Sequence, residues 1–334
     1  MRVPGRIYAD RPLAEMLLAD QPKAREWNAL LQVRNVACLP GIRGYSLAMA
    51  DIHPGYGFPI GGVGAFDTDE GVVTVAGVGF DCNCGVRALV APLDRADVEA
   101  RKAELAEALF RGVPAGIGSV GDFRLNRREI DEMLVEGAGF SVRRGYGTGA
   151  DLEFIEEGGC MRGADPANVS DRAKGRQLRQ VGTLGSGNHY LEVQYVDEIY
   201  DADAAGAFGI ERGAVVISVH TGSRALGHQV GTDYLPKLKA AARKYGLQVR
   251  EQELVCAPIG SPEGREYISA VFAAINCAFA NRQAVGHLAR GCFARVFGIG
   301  PESIRLLYDV GHNTAKFERH RVGGNQLVEM VGVP

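Results

Sequence analysis

The sequence predicts a protein of the α+β class, or mixed α/β, whose functional site is built from several strand ends. Apolar runs rich in β-branched residues, such as Val215–Val219, are typical of buried strands. The segment Glu263–Phe297 is long, rich in alanine and apolar on much of its circumference, which predicts a buried helix. Glycine accounts for 45 of the 334 residues, well above the typical ~7%. Many of these glycines lie in turns beside polar residues, which favours close approach of the backbone to a ligand.

The N-terminal half is predicted to contain short strands, short helices and long loops. Residues 1–45 mix short helical stretches with a first strand, and residues 45–90 are glycine-rich and strand-like, with a β-branched run at Val72–Ala76. Asp97–Phe110 is predicted as one amphipathic helix, because apolar residues recur at helical spacing between charged ones. Residues 112–165 are polar and glycine-rich, and we expect loops there.

The C-terminal half returns to strands, glycine turns and helices. Residues 180–230 follow the order strand, glycine turn, strand, and Tyr234–Tyr245 is expected to form a short basic helix. After the long helix of Glu263–Phe297, residues 303–310 are predicted as a buried strand. No internal repeat, low-complexity linker or shift in composition divides the sequence, so we expect a single catalytic domain over residues 1–334.

Composition and charge exclude several classes of protein. The chain is 46% hydrophobic and 23% charged, which is ordinary for a globular protein. Its net charge of -3 creates no overall basic field, so a nucleic-acid partner would need a local patch. The seven cysteines form no secreted disulfide framework. Neither an N-terminal leader nor an apolar run of about 18 residues is present. We therefore expect a cytoplasmic protein with no membrane association.

Five residues form a candidate metal site. His220 and His312 each end an apolar, strand-like run, and His189 follows a glycine turn. Asp81 and Cys84 lie three residues apart in another turn. Cysteine, histidine and aspartate are residue types that bind transition metals, and strand ends present side chains to a cleft. By itself an Asp-x-x-Cys turn is a weak signal and a lone histidine is more often structural, so both interpretations remain open from the pattern alone.

Polar neighbours of these residues are candidate substrate contacts. Asn188, Glu192 and Asn313 lie within three residues of a candidate ligand. Ser223 and Arg224 follow His220 in a glycine turn, where backbone amides and a guanidinium suit a phosphate or a nucleotide. An ordinary turn with a surface arginine is the alternative. The sequence contains no P-loop motif, so a nucleotide would bind by another route.

Six segments together resemble a known family, in the order in which the family carries them. These are two glycine-rich turns, two histidine-containing turns, one helical segment and one strand end: Asp51–Val63, Gly77–Gly85, Gly182–Glu192, His220–Gly227, Asn276–Arg282 and Asp309–Asn313. The family is RtcB, the tRNA-splicing RNA ligases. The resemblance implies an RtcB-like fold, with a central β-sheet core flanked by helices and the metal site at strand ends.

The resemblance also implies an activity and roles for the candidate residues. The family joins an RNA end with a 3'-phosphate or 2',3'-cyclic phosphate to a 5'-hydroxyl end, using GTP and two Mn2+ ions. By resemblance the metal ligands are Asp81, Cys84, His189, His220 and His312. Also by resemblance, Asn188, Glu192 and Asn313 lie near the guanylate, and Ser223 and Arg224 lie near phosphates. A thiolate with three imidazoles suits Zn2+ at least as well as Mn2+, so Mn2+ rests on the resemblance alone.

One feature of the family has no counterpart in the sequence. The family's guanylate-accepting histidine lies well downstream of the segment that contains His312. In this sequence, the only histidine after His312 is His320. We therefore expect the family's C-terminal segment to be missing. A shortened homologue that acts as a metal-dependent phosphoesterase or an RNA-end-binding protein, without guanylylation, is the alternative to a ligase. The sequence does not predict the oligomeric state.

Overall fold

The computed structural model describes residues 1–20, 28–322 and 326–333, and it confirms the mixed α+β class. The strands of this part of the chain, in order, are β1 (Gly5–Ile7), β2 (Ile42–His53), β3 (Ile60–Asp67), β4 (Val72–Thr74), β5 (Gly85–Asp94), β6 (Tyr190–Tyr195), β7 (Ala214–Thr221), β8 (Cys256–Pro258), β9 (Arg305–Gly311), β10 (Lys316–Val322) and β11 (Gln326–Val333).

Helices alternate with these strands along the chain. In order they are α1 (Arg11–Asp20), α2 (Ala29–Val36), α3 (Val75–Val78), α4 (Arg95–Ala100), α5 (Lys102–Gly112), α6 (Arg127–Glu136), α7 (Ala138–Arg143), α8 (Asp171–Gln177), α9 (Ala202–Phe208), α10 (Arg224–Lys244) and α11 (Pro262–Phe297). Short 3-10 helices lie at Gly149–Phe154, Glu156–Gly159, Pro166–Asn168 and Pro301–Ser303. Among the described helices, none combines the length and the apolar character needed to cross a bilayer.

The first of two compact units is built from Met1–Cys82, His228–Phe272 and Asn313–Pro334. Its main sheet has the strand order β1-β2-β3-β11-β10, in which only β1 and β2 are parallel. Strands β4 and β8 form a separate antiparallel pair. A small apolar cluster joins α2 to β2, where Val33 packs with Ile52, and this contact buries one face of the sheet.

The second unit is built from Asn83–Gly227 and Ala273–His312. Its sheet has the order β6-β7-β5-β9, and every neighbouring pair is antiparallel. One face of this sheet is buried: Val219 of β7 packs with Val285 of α11 in an apolar cluster. The opposite face is more open, since Tyr308 and Val310 of β9 are 42% and 48% exposed. This alternation is what a period of two residues produces in a half-buried strand.

The prediction of one continuous helix over Asp97–Phe110 is wrong, because two separate helices, α4 and α5, cover this segment. Helix α4 begins earlier, with Asp94 and Asp97 forming a capping box, and the helical path breaks at Arg101 (φ -125°, ψ 21°). The side chain of Arg101 pairs with Glu104 and also bonds to the Val296 carbonyl. The pair with Glu104 is local, whereas the contact with Val296 is tertiary, and tertiary context of this kind overrides helix propensity.

The loops expected over residues 112–165 are largely short helices. Helix α6 starts at an Asn126 cap whose side chain accepts from the backbone N–H of Glu129, while the Glu129 carboxylate accepts from the N–H of Asn126. Such a reciprocal cap is a recognisable start signal. The glycines that suggested loops instead end the helices, as Gly137 does for α6 at φ 60°.

Other helices and strands begin or end at residues different from those predicted. The strand expected at Val72–Ala76 ends at Thr74, where α3 begins. The basic helix expected at Tyr234–Tyr245 is the second half of α10, which already begins at Arg224. The long helix is confirmed as α11. Strand β9 is present but alternates between buried and exposed residues, so the expectation of a fully buried strand at residues 303–310 is wrong.

Candidate metal centre

Antiparallel pairing brings four candidate ligands of the second unit to one end of the sheet. Cys84 directly precedes β5 and His189 directly precedes β6, whereas His220 lies at the end of β7 and His312 directly follows β9. Because β7 runs antiparallel to β5 and β6, and β9 runs antiparallel to β5, two strand starts and two strand ends coincide. The topology alone therefore places these four side chains together.

The side-chain atoms of these residues are in direct contact. Cys84 Sγ lies 3.2 Å from His220 Nε2 and 3.3 Å from His189 Nε2. The Nε2 atoms of His220 and His312 are 3.1 Å apart. The ligand atoms of Cys84, His220 and His312 all lie within 4.8 Å of one another. Two ligands of one tetrahedral ion are roughly 3.3–3.7 Å apart at ordinary metal–ligand distances, so the group is close to the spacing that a bound ion requires.

The contacts of His220 indicate which of its two ring nitrogens offers a lone pair to Cys84 and His312. Nδ1 of His220 lies 3.1 Å from the carbonyl oxygen of Asn188. A carbonyl oxygen only accepts, so the contact favours the tautomer with the proton on Nδ1, and in the neutral ring Nε2 is then the acceptor. A backbone carbonyl that holds the second nitrogen of a histidine in this way is typical of metal ligands. Cys84 and His220 are 3% and 8% exposed, so their interaction is shielded from water.

The chemistry of the group fits a transition metal. Imidazole nitrogens and a sulfur atom converge, and such donors favour ions like Zn2+ or Fe2+ over Ca2+ and Mg2+, which prefer oxygen. Cys84 is buried, His189 is half-buried and His312 is exposed. The centre is thus closed on the side of β5 and open on the side of His312, an arrangement that leaves room for a substrate oxygen.

Two of the predicted site residues lie in the first unit. Asp81 is half-buried and precedes Cys84 by three residues in the chain. Asn313 directly follows His312, and its Nδ2 donates to the carbonyl oxygen of Asp81 at 3.4 Å. Asn313 adopts a left-handed conformation with φ 56°, which is uncommon outside glycine. Their predicted roles as ligand and guanylate contact stay predictions.

The predicted nucleotide contacts Asn188 and Glu192 are both exposed. In the register of β6 and β7, Tyr190 lies opposite His220 and Glu192 lies opposite Ser218. Glu192 therefore shares a face of the sheet with His220. Its carboxylate accepts from Gln194 Nε2 at 2.8 Å, so this acid is already oriented along the strand.

The predicted phosphate contacts Ser223 and Arg224 differ in accessibility. Ser223 is fully buried. Arg224 is half-buried, has φ 57° and donates from Nε to Thr183 Oγ1 at 3.1 Å. A side chain at Gly185 would collide with both the Arg224 guanidinium and the His189 ring, so both groups lie against the same face of this glycine. A bulky residue held in the left-handed region is a mark of functional constraint.

Sequence reasoning gave no role to several buried polar residues that surround the centre. Arg87, Asp309 and Arg282 have no exposed surface, and Asn281 next to Arg282 is equally buried. Arg282 donates to the carbonyl oxygen of Asn83, directly before Cys84. The available signal was the occurrence of consecutive polar residues within an apolar helix, which is rare unless each one is bonded.

Fold and site together define a protein of the α+β class with a thiol and three imidazoles at one end of an antiparallel sheet, a donor set suited to a metal ion. Comparison with known proteins is more specific. The family model described as tRNA-splicing ligase RtcB matches residues 32–332. The chain belongs to this family.

Individual relatives cover nearly the whole chain. It is 50% identical over 333 residues to the tRNA-splicing ligase RtcB of Thermococcus kodakarensis, which is 99% of this chain and 68% of that protein. It is 49% identical over 329 residues to the protein of the same name from Archaeoglobus fulgidus, with 98% and 67% covered. The RNA-splicing ligase RtcB of Mycobacterium tuberculosis is 49% identical over 297 residues, with 88% and 68% covered. The chain thus spans about two thirds of the length of these relatives.

Proposed function

We propose that the protein is an RNA ligase that joins 3'-phosphate or 2',3'-cyclic phosphate ends of RNA to 5'-hydroxyl ends, in tRNA splicing or RNA repair. Membership of a family of tRNA-splicing ligases supports an RNA substrate and ligase chemistry. The observation that carries the proposal is the convergence of Cys84, His189, His220 and His312 at one sheet end. Neither the comparisons nor the geometry of the site favours the alternative of a phosphoesterase or an RNA-end-binding protein.

We propose that Asp81, Cys84, His189, His220 and His312 hold two Mn2+ ions, with Zn2+ as the competing metal. The thiol and imidazole donors support a transition metal, and the choice of Mn2+ follows the resemblance to the family. Divalent ions would neutralise phosphate charge and help to orient the attacking oxygen. The backbone carbonyl of Asn188 would keep His220 in the tautomer that a metal requires.

We propose GTP as the second substrate, with Asn188, Glu192 and Asn313 near the guanylate. Guanylylation of the RNA phosphate would provide GMP as a good leaving group before the 5'-hydroxyl attacks. The half-buried Arg224, whose guanidinium lies beside Gly185 and the His189 ring, is well placed to pair with a phosphate. Ser223 is fully buried, so it would contribute through its backbone.

We also propose that residues 1–334 work as one catalytic domain in the cytoplasm. Both compact units are assembled from non-contiguous segments, so no single cut in the chain separates them. All seven cysteines are free thiols, a state that a reducing compartment would preserve.

A ligation assay tests the proposed function directly. A labelled RNA with a 2',3'-cyclic phosphate and a second RNA with a 5'-hydroxyl are incubated with the protein, GTP and Mn2+, and the joined product is resolved by gel electrophoresis. The variant His220→Asn removes the best-oriented ligand, and we expect ligation to fall by at least about 100-fold, because loss of a residue that only supports a metal ligand already costs about 10- to 100-fold. The matched control is His320→Asn, since His320 is exposed and pairs with Glu318 on the same strand.

The outcomes separate the parts of the proposal. Ligation by wild-type protein and by His320→Asn, but not by His220→Asn, supports it. Equal ligation by both variants would show that the His220 cluster is not the catalytic centre. Absence of ligation by the wild-type protein, with cleavage of the cyclic phosphate instead, would favour the phosphoesterase alternative.

A further inference from the structure

The middle of α11 contains consecutive polar residues with no exposed surface. Asn281, Arg282 and Gln283 are each 0% exposed, although the helix around them consists mainly of alanine and other apolar residues. Burial of polar groups is costly unless each group is hydrogen-bonded. The bonds that these residues form therefore indicate why an apolar helix contains them.

Asn281 binds the two chain segments that lead to His189 and away from His220. Its Oδ1 accepts from the backbone N–H of Gly182 at 2.9 Å and of Thr183 at 3.3 Å. Its Nδ2 donates to the carbonyl oxygens of Thr183 (3.2 Å) and Gly222 (3.1 Å) and to Thr221 Oγ1 (3.3 Å). One carboxamide thus joins the glycine turn before His189 to the turn after His220.

Arg282 binds the segments that carry the remaining ligands. Its Nη1 donates to the carbonyl oxygens of Asn83 (2.5 Å) and Thr221 (3.1 Å), which are adjacent in sequence to Cys84 and His220. Its Nε donates to Asp309 Oδ1 at 2.8 Å, and Asp309 lies on β9 three residues before His312. The Asp309 carboxylate is fixed from its other side by Arg87 Nε at 2.7 Å.

We propose that Asn281 and Arg282 are positioning residues that set the spacing of the metal ligands, an inference that rests on the proposed metal centre. Between them they bond to groups directly before Cys84, before His189, directly after His220 and before His312. A single rigid helix therefore fixes four ligand-bearing segments relative to one another. Ligand positions that are fixed before the metal arrives increase affinity and define the coordination geometry.

The same helix supplies a matched pair of comparison residues. Asn276 is 0% exposed, and its carboxamide bonds to the backbone of Leu134, Val135 and Met161. Arg290 is 5% exposed and bonds to Asp151 and to the carbonyl oxygen of Ile304. Both pairs consist of one buried asparagine and one buried arginine, but only Asn281 and Arg282 contact segments that bear candidate ligands.

The test compares metal binding in four single variants: Asn281→Asp, Arg282→Lys, Asn276→Asp and Arg290→Lys. Each is titrated with Co2+, whose absorption bands report coordination geometry and the bond to a thiolate. We expect Asn281→Asp and Arg282→Lys to bind Co2+ about 10- to 100-fold more weakly, as supporting residues of metal sites do, with altered bands. Asn276→Asp and Arg290→Lys should retain the wild-type affinity and bands, although both are expected to lose thermal stability.

Three results would count against the proposal or against its premise. Wild-type affinity and bands in folded Asn281→Asp and Arg282→Lys would overturn the positioning role. Equal losses in all four variants would show that the effect is general destabilisation. If the wild-type protein binds neither Co2+ nor Mn2+, the metal centre itself is wrong, and with it the proposed function.

A milder variant tests the proposal if Asn281→Asp and Arg282→Lys do not fold. Thr221→Val removes the hydroxyl that accepts from Asn281 and that donates to the Leu184 carbonyl at 2.6 Å, while a branched side chain is kept. Asn281 Nδ2 retains its other two acceptors, so the protein is expected to fold. A weaker, spectrally altered Co2+ complex supports the positioning role, and an unchanged complex overturns it.

Discussion

Arginine–carboxylate pairs occur in two regions of the second unit that differ mainly in exposure. Beneath the sheet, Asp309 lies 2.7 Å from Arg87 and 2.8 Å from Arg282, and none of the three side chains is exposed. On the surface of α6 and α7, Arg143 lies 2.8 Å from Glu136, with side chains that are 51% and 40% exposed. The bond lengths and the chemical groups are nearly the same in both places.

The difference shows that bond length says little about what a charged pair contributes. At the surface, water and dissolved ions replace a lost partner, so an exposed pair adds little to the free energy of unfolding. In the interior nothing replaces the partner, and the remaining charge is stranded. The buried pairs also fix backbone segments at the candidate metal centre, whereas the surface pairs connect neighbouring turns of two helices.

The largest effect is expected from Asp309→Asn. This substitution leaves Arg87 and Arg282 without their shared carboxylate in a site that solvent does not reach. Removal of one partner from a buried pair typically costs about 3–5 kcal/mol. We therefore expect a large fall in the urea midpoint of unfolding, or loss of soluble protein. A midpoint equal to that of the wild-type protein would mean that burial does not distinguish the two regions.

A smaller, pH-dependent effect is expected from Asp151, which accepts from Arg290 Nη1 and Nη2 at 2.7 Å each. Burial acts to raise the pKa of Asp151, but the hydrogen bonds and charge of Arg290 prevail and lower this pKa to about 2. A lowered pKa stabilises the folded state above the unfolded value near 4, and this contribution is lost as the pH falls towards 2. The contribution is about 2–3 kcal/mol when complete.

Urea unfolding at a series of pH values between 5 and 2 measures the contribution of Asp151 to the free energy of unfolding. The variant Asp151→Asn cannot titrate at this position, so its free energy of unfolding should depend less steeply on pH in that window. The difference between the two curves isolates Asp151 from the other carboxylates. Parallel curves would show that Arg290 does not lower the pKa of Asp151.

The candidate ligands could be located from sequence because each lies where a strand-like run or glycine turn ends. His220 and His312 follow apolar runs of β-branched and leucine residues, and such runs determine strand ends within a residue or two. The strand order could not be predicted in the same way. It depends on long-range pairing, such as Gly85 lying opposite both Thr221 and Gly311, for which no local signal exists.

The support that Asn281 and Arg282 give to the candidate ligands, and several helix limits, were not predicted from the sequence. Asn281 and Arg282 belong to a segment that resembles the family, but their partners are distant in sequence and are defined only in the folded chain. The break at Arg101 depends on a contact with Val296, which is equally non-local. The start of α6 was predictable, since Asn126 and Glu129 form a capping box, but the surrounding glycines favoured loops.

The smallest effect is expected from Arg143→Gln. Arg143 pairs with Glu132 and Glu136, and its guanidinium lies 4.9 Å from the centre of the Phe140 ring. Glutamine keeps much of the aliphatic stem, and water solvates the two carboxylates, so we expect no measurable change in the urea midpoint at physiological salt. A small loss that appears only at low ionic strength would fit a screened surface pair. A loss as large as that of Asp309→Asn would show that exposure is not what separates the two groups of arginines.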